Sequence, residues 1–136
     1  MSTDDRSPVE LALSTFLDAF GDLDRARMDA CFTDDATVFP RFGGPRHRGF
    51  WIAEFDTWRA TRPGPPYHRV EPRDLHIQPL GEVAVATFHL DNVPEVLGRR
   101  TLVLVRTPDG WKIAHLHAST MPWTAAPGSG RDSERD

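Results

Sequence analysis

The chain has 136 residues, 39% of them hydrophobic, with 20 acidic against 16 basic side chains and an isoelectric point near 5.8. That size suits one domain with its own core, and the charge balance excludes the basic stripe of a nucleic-acid-binding domain. No apolar run approaches the roughly 20 residues of a membrane span. The single cysteine, Cys31, excludes an intrachain disulfide and a cysteine metal cluster.

Residues 1–7 are polar and carry no apolar signal segment, so a cytoplasmic protein is the expectation. They read as a disordered lead, and 124–136, rich in Gly, Ser, Pro and charge, as a disordered tail. One domain is expected over 8–123. The first helix is predicted over 8–20: Ser7 caps it, Pro8 suits its first position and Glu10 its first turn. Val9, Leu13, Phe16, Leu17 and Phe20 form its apolar stripe, and Gly21 stops it. Asp24 caps a second helix predicted through Phe32. Ala36–Phe39 reads as a short strand and Pro40–Arg48 as a loop rich in Gly and Arg. A third helix is predicted from Gly49 to Ala60, with Trp51, Phe55 and Trp58 on one face, and Pro63 forbids its continuation.

Strands are predicted over 67–79, 82–91, 99–107 and 111–120, with antiparallel neighbours because the connections are short. Helices first and strands later indicate an α+β domain. Leu102 and Leu104 oppose Val103 and Val105, and Ala84, Phe88 and Leu90 oppose Val83 and Val85. A sheet apolar on both faces wants cover on both. Helices cover one face, and a second copy of the chain is expected over the other, making a homodimer through the sheet.

The last strand carries the strongest chemical signal. Simple alternation puts Trp111, Ile113, His115, His117 and Ser119 on one face and Lys112, Ala114, Leu116 and Ala118 on the other. Three polar groups beyond two apolar anchors suit a small-molecule pocket. A neutral-range imidazole there can act as acid or base, with Ser119 orienting it or binding a substrate oxygen. The alternative is a structural pair bonded to neighbouring strands or lying in the dimer contact. Two histidines on one strand face can also chelate an ion, but a third ligand would have to come from His76, His89 or Asp91, so no metal site is expected.

Several segments resemble one family. Phe16-Leu-Asp-Ala-Phe-Gly-Asp-Leu-Asp24, Cys31-Phe-Thr-Asp-Asp-Ala-Thr-Val38 and Gly110-Trp-Lys-Ile-Ala-His-Leu-His-Ala-Ser119 are similar to the NTF2-like superfamily, which includes ketosteroid isomerase and the SnoaL-like polyketide cyclases. The closing run looks most like the SnoaL-like branch that also holds the association domain of calmodulin-dependent kinase II. The resemblance implies an NTF2-like cone, three N-terminal helices packed in the concave face of a curved antiparallel sheet, with a pocket inside and dimers through the sheet. It implies no single activity, because the fold hosts isomerases, dehydratases, cyclases, hydrolases and binding modules. Phe39 stands where the steroid isomerases place a catalytic aspartate, and the only tyrosine, Tyr67, lies outside the first helix. A steroid-isomerase mechanism is therefore not expected.

Other candidates are weighed singly. Asp18 falls within the apolar register of the first helix and could reach the pocket as an acid with a raised pKa, or lie exposed. His89 beside Asp91 could orient a base, or mark a strand end becoming solvated before the Asn92–Gly98 turn. Arg41, Arg46, His47 and Arg48 could clamp an acidic ligand or form a solvated loop. Of Arg99 and Arg100 one must face inward, where an unpaired charge needs a carboxylate or a ligand anion. Phe16, Phe39, Phe42, Trp51, Phe55, Trp58 and Trp123 suit core or pocket wall, and Cys31 a buried filler. Two functions stay open. One is a cofactor-independent isomerase, cyclase or dehydratase moving protons on a small hydrophobic or polyketide-like molecule, through His117 or His115 with Ser119 and Asp18. The other is a ligand-binding or assembly module without chemistry.

Overall fold

The computed structural model describes residues 7–41, 43–91 and 96–123. Helix α1 (Pro8–Gly21) opens on a reciprocal capping box: the Ser7 hydroxyl accepts from the Glu10 amide, and the Glu10 side chain accepts from the Ser7 amide. Its stripe of Val9, Leu13, Phe16 and Ala19 is buried. Helix α2 (Arg25–Asp29) is capped by Asp24 as expected but is a single turn, ending before Phe32. The reason is a competing tie to the last strand. The Ile113 amide donates to the Cys31 carbonyl at 2.8 Å and Lys112 Nζ to the Ala30 carbonyl at 2.6 Å. Phe32 therefore begins strand β1 (Phe32–Phe39).

Strand β2 (His47–Arg48) is a two-residue addition within the expected loop, and α3 (Ala53–Thr61) starts later than the sequence pattern suggested. Strands β3 (Arg73–Leu80), β4 (Val83–Leu90), β5 (Val96–Thr107) and β6 (Gly110–Pro122) follow. Residues 67–72, expected as strand, lie outside β3. The expected Asn92–Gly98 turn gives way to β5 from Val96 onward, while 92–95, like Phe42, the lead 1–6 and the tail 124–136, lie outside the described residues.

The architecture is α+β, with one curved six-stranded sheet in the order β2-β1-β6-β5-β4-β3. It is mixed, which corrects the all-antiparallel expectation: β1 runs parallel to β6, while the other pairs are antiparallel. A hairpin forces antiparallel neighbours, but β1 reaches β6 only through α3 and four other strands, so no tight turn dictates their sense. The core lies between the helices and the inner face of the sheet, where Ala84, Ala86, Leu102 and Leu104 are fully buried beneath Phe16, Leu23 and Met28. Among the described residues no helix is long and apolar enough to cross a membrane.

The register of β6 decides which of its side chains reach that core. Leu104 lies opposite Ile113 and Val103 opposite His115, so Ala114 is an extra residue, a β-bulge. The bulge reverses parity along the strand. Ile113, Leu116 and Ala118 point inward and are buried, whereas His115, His117 and Ser119 point to the opposite face. The single shared face expected from Trp111 to Ser119 is thereby corrected.

Candidate functional site

Beneath the inner face lies a cavity of about 90 Å³, space well beyond the 10–15 Å³ or so that one water needs. Phe16, Phe20 and Leu17 of α1 form one wall, and Phe50, Phe55 and Trp58 a second. Phe88 and Leu90 of β4, Leu102 of β5, and Leu116 and Ala118 of β6 close the sheet side. Edge-on ring contacts knit the walls together: Phe20 meets Phe50 at 5.0 Å and Phe55 at 5.3 Å between centroids.

Into this apolar space the sheet delivers Arg100. It shares its inward parity with Leu102 and Leu104, and it sits between Phe88 and Ala118 on the neighbouring strands. One guanidinium nitrogen, Nη1, donates to the Arg99 carbonyl at 3.0 Å and the Ser119 carbonyl at 3.2 Å. Gly98 leaves room for that folded-back pose: a Cβ there would crowd it, standing 3.3 Å from the same nitrogen and 3.2 Å from Leu90 Cβ. Burial, aided by the nearby Arg41 charge, pushes the Arg100 pKa down to about 10. Among the described residues no carboxylate offsets it. Arg41 and Arg69 join the rim, Arg69 bonded to Glu71 at 3.2 Å. Partial burial and the Arg62 charge hold the Arg41 pKa below its ordinary value.

His68 is the cavity's one imidazole among the described residues. Its Nε2 bonds the Phe20 carbonyl at 2.7 Å. A carbonyl can only accept, so Nε2 carries the hydrogen and, in the neutral ring, Nδ1 keeps a lone pair. Burial holds the His68 pKa below its ordinary value against the opposing pull of the Phe20 carbonyl, with the Arg62 and Arg41 charges adding to the depression. The ring is thus neutral at pH 7. Its place is set from α1: the Tyr67 amide donates to the Gly21 carbonyl at 2.8 Å, and a Cβ on Gly21 would come within 3.2 Å of the His68 carbonyl. Apolar periodicity in the sequence does not single out His68.

Of the residues expected at the site, Phe16, Phe55, Trp58 and Arg100 line the cavity. Trp51 does not; it packs on Phe55 and donates to Asp56 at 3.1 Å. Asp18 is exposed on the solvent side of α1, one step off the buried stripe. His115, His117 and Ser119 are turned away by the bulge. There His115 Nδ1 meets Thr37 Oγ1 at 2.9 Å, Ser119 accepts from Arg99, and Phe39 packs against both imidazoles rather than the cavity. His89 also faces away, opposite Arg99 and 3.8 Å from Asp74, while Asp91 accepts from Arg73 at 2.5 Å. Cys31 donates to the Arg27 carbonyl, and burial raises its pKa, the reverse of an activated thiol. Among the described residues no three potential ligands gather as a metal site.

A model of the SnoaL-like domain matches residues 9–124 of the chain. No curated protein matches it. Among solved structures, it is similar to an NTF2-like protein of unknown function from Pseudomonas putida KT2440, at 21% identity and a TM-score of 0.69 over 96% of this chain and 95% of that one. An NTF2-like dehydratase candidate from Streptomyces avermitilis is 23% identical, with a TM-score of 0.67 over 87% and 95%. The CaMKII hub of S. rosetta is 19% identical, with a TM-score of 0.65 over 89% and 100%. At such identities the structures show a shared fold.

Proposed function

The chain belongs to the family of SnoaL-like domains, and from that membership we propose that it holds a small, largely apolar, oxygenated molecule in the cavity beneath the sheet. The observation that carries this reading is the cavity itself, aromatic on two sides with Arg100 and His68 as its convergent polar groups. Proton transfer on such a ligand, the chemistry of an isomerase, cyclase or dehydratase, falls to His68. It is neutral at pH 7 and keeps one basic nitrogen. Arg100 would then face the oxygen on which negative charge develops. A pure binding role uses the same walls without that step. Native mass spectrometry of protein purified from its own host tests the pocket. We expect a retained small molecule that disappears in Ala118→Phe, whose ring would fill the space. Bare wild-type protein in every preparation would count against it.

We also propose a homodimer through the outer face of the sheet. Val83, Val85, Val103 and Val105 form an apolar block there, beside Thr101, His115 and His117. Sedimentation should give twice the 15.3 kDa chain mass, and Val103→Arg should give a folded monomer. A wild-type monomer at tens-of-micromolar concentration would end the idea.

A further inference from the structure

The cavity's charge runs against the charge of the chain. The protein carries a net −4, yet the charged residues lining the cavity are Arg41, Arg69 and Arg100, with no Asp or Glu among the described lining residues. Arg69 has a partner in Glu71, at the surface. Arg100 is different. Its Nη1 is held by two backbone carbonyls, which accept hydrogen bonds but bring no full negative charge. A guanidinium in an apolar wall without a carboxylate is a costly arrangement for an empty protein. It becomes favourable when an anion arrives, because the water-poor surroundings strengthen the pairing.

Resting on the pocket reading above, we propose that the ligand is an organic monoanion, a small flat carboxylate whose charged end pairs with Arg100 and whose ring lies among Phe16, Phe20, Phe55 and Trp58. The planar fork of a guanidinium matches a carboxylate with two parallel hydrogen bonds. Edge-to-face aromatic walls suit a planar body. A phosphate monoester fits less well, since its second charge and extra oxygens would meet phenyl rings and Leu102 rather than donors.

Calorimetric titration with benzoate, its neutral isostere benzamide, and phenyl phosphate tests the assignment on the intact protein. A charge-assisted pair should make benzoate bind about tenfold or more tightly than benzamide. Arg100→Gln should erase that preference while benzamide binding persists, and Arg100→Lys should keep part of it. Equal binding of benzoate and benzamide by the wild-type protein would overturn the anion and leave the pocket standing. Phenyl phosphate outbinding benzoate would overturn the carboxylate. Binding of none of the three, with Ala118→Phe indistinguishable from wild type, would remove the pocket reading and this proposal together.

Discussion

Phe16→Ala should lower the unfolding free energy by about 3–5 kcal/mol, the usual range for emptying a buried aromatic site. Phe16 is only 2% exposed. Its ring touches Phe20, Phe32 and Phe50 at centroid distances of 5.9, 5.4 and 5.2 Å, so it joins α1, β1 and the cavity wall at one point. These neighbours are held by strand pairing or by their own ring contacts and cannot collapse into the gap. Truncation therefore leaves a void that merges with the existing cavity, adding the void's cost to the lost transfer energy. A domain this size has roughly 5–15 kcal/mol in all, so the variant should unfold at markedly lower urea. Leu11→Ala is the control on the same helix: Leu11 is 37% exposed and should change stability by no more than about 0.5 kcal/mol. Equal losses at the two positions would mean that α1 contributes through helix propensity and not through its buried stripe.

That stripe was legible because its signals are local. Ser7, Pro8 and Glu10 mark the start of α1 within one turn, and apolar spacing marks its buried face. The same holds for Arg100, which shares parity with Leu102 and Leu104 in an unbroken strand. The bulge in β6 also left a trace that simple alternation overrode. Apolar residues stand at odd positions before it (Trp111, Ile113) and at even positions after it (Leu116, Ala118). A phase change of that kind costs one inserted residue, and Ala114 is that residue. Reading through it sent His115, His117 and Ser119 to the wrong face. His68 left no such trace. Its position depends on contacts with Gly21 and Phe20, the latter 48 residues away in sequence, and no periodicity encodes them. The parallel pairing of β1 with β6 is equally non-local, and the tie that shortens α2 depends on it.

Arg100→Met should stabilise the unliganded protein while abolishing its preference for anions. A guanidinium ordinarily keeps its proton to above about pH 12, whereas Arg100 releases it at about pH 10 in the fold. The folded state therefore binds the proton less tightly than the unfolded chain does. Stability is lower by the full amount at every pH below 10, and recovers only as pH rises from 10 toward the unfolded value. At neutral pH the difference corresponds to about 3 kcal/mol. Methionine fills similar volume without the charge. It forfeits the bonds to the Arg99 and Ser119 carbonyls, roughly 1 kcal/mol each, so a net gain of about 1 kcal/mol is expected in urea unfolding at pH 7.5. The gain should be flat from pH 6 to about 9 and shrink above 10. Benzoate should reverse the ranking by stabilising the wild-type protein more than the variant. A variant less stable than wild type at every pH, with benzoate or without it, would show that Arg100 is a packing and hydrogen-bonding residue whose charge the protein does not hold in reserve for a ligand.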